Sequence, residues 1–93
     1  MKIETLKLYS RIARILKDYN PDVIDGDISW VVKNEVGKIF MIQIGGEVNY
    51  SLHIFEFTND VSNDKTQFIE NSKILKIIDY AYHKNYYVTR AIC

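Results

Sequence analysis

The stretch that decides the fold is Asp27-Ile-Ser-Trp-Val-Val-Lys33, Asn34-Glu-Val-Gly37, Lys38-Ile-Phe-Met-Ile-Gln-Ile44. In its first part Ile28, Trp30 and Val32 alternate with Asp27, Ser29, Val31 and Lys33. In its last part Phe40, Ile42 and Ile44 alternate with Ile39, Met41 and Gln43. Period-two alternation with β-branched and aromatic residues predicts antiparallel strands over 27–33 and 38–44, covered on one face. Asn34–Gly37 joins them as a hairpin, with Gly37 free to take a positive φ. Downstream, Gly45-Gly46-Glu47 predicts a second turn and residues 48–57 a third strand, where Tyr50, Leu52 and Ile54 alternate with Asn49, Ser51 and His53.

Upstream, residues 3–19 carry a helical period. Leu6, Leu8, Tyr9, Ile12, Ala13, Ile15, Leu16 and Tyr19 fill one arc, with Glu4, Lys7, Arg11, Arg14 and Asp18 opposite. Asn20-Pro21 stops it, because the residue before proline is pushed out of the helical region. After a polar loop over 58–65, Asp64 and Gln67 have capping-box spacing and predict a helix from there to about Lys84. Phe68, Ile74, Leu75, Ile77, Ile78, Ala81 and Tyr82 form its apolar arc, and Asn85 is its stop. Tyr86–Ile92 is β-branched and aromatic and reads as a last strand. The expected fold is α+β in the order α-β-β-β-α-β, a small antiparallel sheet with two helices packed on one face.

The 93 residues are expected to form a single domain over 1–93, large enough for one core. With 47% hydrophobic and 26% charged residues, a disordered or collagen-like chain is excluded. The lone Cys93 excludes an internal disulfide framework and suits a reducing compartment. Lys2, Glu4, Lys7 and Arg11 interrupt any leader-like apolar run, and no stretch approaches the ~20 residues that span a bilayer. The expectation is a complete cytoplasmic product with no membrane partner. Ile, Lys, Asn and Tyr supply 37 residues, a usage that points to AT-rich codons and to a bacterial or archaeal host, phage or mobile element.

Twelve basic and twelve acidic side chains cancel, but not evenly along the chain. Residues 1–20 carry a net +3, residues 21–72 a net −6 and residues 73–93 a net +3. The basic charge falls on the helices and the acidic charge on the strands and loops, which excludes a wholly basic or wholly acidic binder and leaves room for a one-sided one. Two candidate binding surfaces follow. Asp22, Asp25 and Asp27 beside Trp30 suit a protein-recognition edge. Lys73, Lys76, Tyr80 and Lys84 share the polar face of the second helix, with Arg90 on the last strand, and suit nucleic acid or an acidic partner. The final strand would also pair with a second copy as an exposed edge, giving a homodimer.

No catalytic set is expected. Cys93, the candidate nucleophile for His53 or His83, is the last residue, where ordering is poor, and Gly45-Gly46 is a turn and not a phosphate loop. The three Asp of 22–27 lack the closing glutamate of a calcium loop, so no metal or cofactor is expected.

The segment from Asp27 through Phe40-Met-Ile-Gln43-Ile-Gly45 resembles the D…(E/Q)xK segment of PD-(D/E)xK nucleases. Asp27 and Gln43 match the metal-holding positions, Glu4 stands for the first-helix acid, and Gly45 replaces the lysine. The element order also resembles double-stranded RNA-binding domains, without their lysine cluster at the second helix start. It is similar as well to type III secretion chaperones and to small anti-CRISPR and other phage-encoded inhibitors. The functional expectation is a small non-enzymatic binding protein that inhibits or regulates a macromolecular partner, in the manner of a phage or mobile-element inhibitor of host defence. Its alternatives are a nucleic-acid-binding module and a chaperone or adaptor.

Overall fold

A computed structural model describes residues 3–16, 21–24, 27–45 and 51–93. The elements run α1 (Ile3–Ile15), β1 (Asp22–Ile24), β2 (Asp27–Lys33), β3 (Ile39–Gly45), β4 (Ser51–Phe57), β5 (Gln67–Phe68), α2 (Asn71–His83) and β6 (Tyr87–Ile92). The chain is mixed α+β, as expected. The strands lie in the order β1-β2-β3-β4-β6, with β5 added to the β2 edge. The expected residues 17–19 of the first helix, the Gly46-Glu47 part of the second turn and residues 48–50 fall outside the described residues.

The central meander follows the alternation. Trp30 pairs with Ile42 and Ile42 with Ile54, so one apolar row runs across β2, β3 and β4. Ile28, Trp30, Val32, Phe40, Ile42, Ile44, Leu52 and Ile54 form the buried sheet face. Leu8, Ile12 and Leu16 from the first helical segment and Ile74, Ile77, Ile78 and Ala81 from α2 join the same core cluster. Both helices therefore pack on one face, each through its i, i+3/i+4 stripe.

Two short strands were not anticipated. β1 pairs antiparallel with Asp27–Ser29, and β5 pairs parallel with Val32–Lys33. They cover opposite ends of the same β2 edge.

The sheet is mixed, where a wholly antiparallel one was expected. β6 runs parallel to β4, with Leu52 beside Val88 and Ile54 beside Arg90. The physical reason is the connection: α2 carries the chain back along the sheet before β6 starts, and such a crossover returns a strand in the same direction.

The second helix starts later than the capping-box spacing indicates. Asn63 instead closes a turn, accepting at Oδ1 from the Lys65 N–H at 2.8 Å and at its carbonyl from Thr66. Gln67–Phe68 then joins the sheet, and Ile69 N–H bonds the Lys33 carbonyl at 2.9 Å. Glu70, at the N-cap, makes no side-chain cap bond. The cap comes from the β2–β3 hairpin, where Glu35 Oε2 accepts from the Asn71 N–H at 2.8 Å and places a carboxylate at the helix N-terminus. Phe68 consequently leaves the expected helical arc and is 62% exposed on β5. Leu75 and Tyr82, also expected in that arc, are 45% and 56% exposed.

The helix stop is where the sequence puts it. Asn85 takes φ 60°, and the N–H groups of Asn85 and Tyr86 bond the carbonyls of Tyr82 and Ala81.

Candidate binding surfaces

Trp30 sits on the inward row with Ile28 and Val32 and is fully buried. Its ring stacks on Tyr9 at 5.7 Å between centroids, and its indole N–H finds no hydrogen-bond partner among the described residues. It is a core side chain and supplies no exposed anchor, which corrects the expected acidic edge. Asp25 lies outside the described residues. Asp22 is exposed and forms an ion pair with Lys65 at 3.6 Å. Asp27 is half-buried and its Oδ2 accepts from Gln43 Nε2 at 3.3 Å. Asp22, paired with Ser29, and Asp27 thus stand on the other side of the sheet from the Trp30 ring.

That other side carries no helix among the described residues. Pairing aligns Ser29, Gln43, His53 and Thr89 in one row. His53 Nδ1 lies 2.5 Å from Thr89 Oγ1, and Nε2 lies 3.1 Å from Ser51 Oγ. Ser51 donates its hydroxyl hydrogen to the Gly45 carbonyl at 2.8 Å, so its oxygen accepts from Nε2–H. In neutral His53 the hydrogen-bond network therefore assigns the proton to Nε2, and Nδ1 accepts from Thr89. This polar row was legible only as the less apolar side of the alternation. Its neighbours Val31, Met41 and Phe55 are half-buried there.

Gly45 bears on the nuclease-like spacing. A Cβ at Gly45 would stand 2.2 Å from Asp27 Oδ1. The space that a lysine would need at this position is occupied by the carboxylate of the matched Asp27. Among the described residues no three His, Cys, Asp or Glu side chains group as a metal site.

The helix face is arranged differently. Lys73, Lys76 and Lys84 are exposed on α2 and its C-cap, and none forms an ion pair among the described residues. They lie on the flank that also carries Tyr80, spaced i, i+3, i+7 and i+11, which spans about 16 Å of helix at about 1.5 Å per residue. Tyr80 is half-buried. Its ring meets Tyr86 edge-on at 6.3 Å, and the Arg11 guanidinium of α1 stands 5.1 Å above it. Arg14 adds a further exposed cation on α1. Arg90 is not brought to this stripe. It lies on β6 and lines a recess of about 320 Å³ with Phe40, Ile54, Glu56, Ala91 and Ile92.

Several carboxylates of the sheet and its loops are locally compensated. Asp60 pairs with Lys33 at 3.6 Å, Glu56 with Lys38, and Asp22 with Lys65. Asp60 also accepts from the Ser62 hydroxyl and from its N–H, and these bonds hold its carboxyl below the ordinary aspartate range.

No helix among the described residues is long and apolar enough to cross a membrane. Comparison with protein-family models, curated proteins and solved structures finds no match.

Proposed function

We propose that this chain is a small non-enzymatic binding protein that inhibits or regulates a macromolecular partner through the outer face of its two helices. The observation that carries the reading is the uneven compensation of charge. Lys33, Lys38 and Lys65 are engaged with carboxylates, whereas Lys73, Lys76 and Lys84 are not, among the described residues. An uncompensated cationic stripe on a rigid helix steers and orients an acidic surface. The partner in this reading is a protein with an acidic face. An inhibitor of host defence carried by a phage or mobile element, acting in the cytoplasm of a bacterial or archaeal host, is the specific form we favour, on size and residue usage.

A second reading takes the same stripe as a nucleic-acid contact. It is favoured by Arg11 over the Tyr80 ring, since charge holds a phosphate backbone and an aromatic platform takes a base.

The test is affinity capture from host lysate with the immobilised chain and with a Lys73→Glu, Lys76→Glu, Lys84→Glu variant. The proposal expects a protein retained through nuclease treatment by the wild type and lost by the variant. Retention abolished by nuclease supports the second reading. Equal retention by both chains refutes the use of this face.

A further inference from the structure

The two edges of the sheet are protected very differently. The β2 edge is covered by β1 over Asp27–Ser29 and by β5 over Val32–Lys33. Both covering strands are too short to template another chain, which is how natural sheets blunt an edge. β6, at the other end, is six residues long and pairs with β4 without a bulge from Tyr87 to Ile92. It contains no proline and no lysine. Tyr87 and Ile92, at its ends, are 62% and 74% exposed.

Its free hydrogen-bonding groups follow from the bonds at its end. Cys93 N–H bonds the Glu56 carbonyl at 2.7 Å, and the Cys93 carbonyl accepts from the Thr58 N–H at 3.1 Å. Cys93 therefore turns both backbone groups toward β4. In a parallel ladder this orientation alternates, so Ala91 and Thr89 do the same. Val88, Arg90 and Ile92 turn three N–H and three C=O groups away from the sheet. Unpaired groups in such a row are a ready template for another strand.

We propose that the chain forms a homodimer by antiparallel pairing of β6 with β6 of a second copy, centred on Thr89. The occupant and the register are argued from β6 itself. An Arg90-centred register pairs Val88, Arg90 and Ile92 alike, whereas the Thr89-centred one pairs Val88 with Arg90 and leaves Ile92 opposite Tyr86, whose N–H already bonds Ala81. But the Arg90-centred register sets Arg90 directly against the Arg90 of the second copy, and like charges directly opposite are unfavourable. The Thr89-centred register sets Arg90 against Val88, Thr89 against Thr89, and the exposed Tyr87 ring against the small Ala91. Each guanidinium then remains beside the recess it shares with its own Glu56. The two-fold axis of an antiparallel pair stands normal to the sheet. Both helix layers therefore fall on the same side, and the two cationic stripes face the same way. The dimer stands or falls independently of the proposed function, because its test reads mass and cross-links and not partner capture.

The experiment is sedimentation or light scattering of the full chain over a concentration series, with cross-linking variants. The expected mass is twice 10.9 kDa, falling toward one chain on dilution. Arg90→Pro removes an N–H that bonds nothing among the described residues and is expected to yield a monomer. Thr89→Cys with Cys93→Ser is expected to give an oxidised covalent dimer, because non-hydrogen-bonded antiparallel partners lie about 4.5 Å apart at Cα, within disulfide reach. Arg90→Cys with Cys93→Ser is expected not to cross-link. A single-chain mass at every concentration overturns the proposal. So does a dimer unaffected by Arg90→Pro, or cross-linking through position 90 in place of 89. Co-purification of an unrelated polypeptide that Arg90→Pro releases overturns the second copy as occupant. If Arg90→Pro fails to fold, the two cysteine variants still decide.

Discussion

Replacing Gly45 by alanine tests the geometry of the open sheet face in numbers. The new Cβ would lie 2.2 Å from Asp27 Oδ1, while ordinary Cβ contacts lie at 3.4–4 Å. The carboxylate must retreat by about 1 Å, and the 3.3 Å bond from Gln43 Nε2 to its other oxygen cannot survive that shift. Losing a half-exposed, charge-assisted hydrogen bond and forcing a new rotamer costs about 1–2 kcal/mol. Gly→Ala within a strand returns about 0.5–1 kcal/mol by restricting the unfolded chain. The net expectation for Gly45→Ala is a destabilisation of about 0.5–1 kcal/mol. With Asp27→Ala already present the clash is absent, and Gly45→Ala should stabilise by about 0.5–1 kcal/mol. The assay is urea unfolding of the four chains of the cycle, followed by the fluorescence of Trp30, the single tryptophan. A coupling of about 1–2 kcal/mol supports the contact. Additivity within about 0.3–0.5 kcal/mol would refute it.

Other consequences follow from single contacts. Trp30 is fully buried, so its emission should be blue-shifted and shielded from acrylamide until the chain unfolds; a quenchable, water-like spectrum in the folded state contradicts the core. Asn34 is 4% exposed, and its Oδ1 accepts from the N–H groups of Val36 and Lys38 while Nδ2 donates to Asn71 Oδ1. Asn34→Ala should therefore cost about 1–3 kcal/mol in urea unfolding and Asn34→Asp, which keeps the acceptor, less; equal costs would show that the hairpin bonds are not what Asn34 supplies. Asp60 should titrate below the ordinary aspartate range by NMR, with Ser62→Ala raising it. Because the folded value is depressed, its contribution is complete above the ordinary range and lost as pH falls through the lowered value; an unshifted Asp60 removes the Ser62 bonds from the account. Neutral His53 should carry its proton on Nε2 in nitrogen-15 spectra, and a predominance of the Nδ1–H form would break the Thr89–His53–Ser51 chain.

Residue patterns carried the central meander, the Leu8/Ile12/Leu16 and Ile74/Ile77/Ile78/Ala81 stripes and β6, because each is an amphipathic element whose period is set by its own residues; Phe68, Leu75 and Tyr82 fell outside the second stripe. What escaped is held by contacts distant in sequence. Gln67 and Phe68 have no alternating run of their own and become a strand only because β2 offers an edge beside them. The start of α2 is set by Glu35, 36 residues away, and no local spacing carries that information. The direction of β6 is a property of its connection and not of its composition. Trp30 is a different case, since its alternation with Ile28 and Val32 already placed it on the inward row. Reading it with the nearby carboxylates overrode a signal that was present. On the helix face, the wheel grouped Lys73, Lys76, Tyr80 and Lys84 correctly. The wheel had no means of showing that three lysines elsewhere are engaged by carboxylates while these are not, and Arg90, added to the face from the last strand, is carried by β6 into a separate recess.

Lysine acylation footprinting tests the role of the helix face most directly. The chain is acetylated alone and while bound to the nuclease-treated host fraction it retains, and each lysine is quantified by mass spectrometry. Lys33, Lys38 and Lys65, engaged with Asp60, Glu56 and Asp22, serve as internal controls. The account predicts protection of Lys73, Lys76 and Lys84 on binding with the controls unchanged. Protection confined to Lys33, Lys38 and Lys65, or no difference between the two sets, contradicts it.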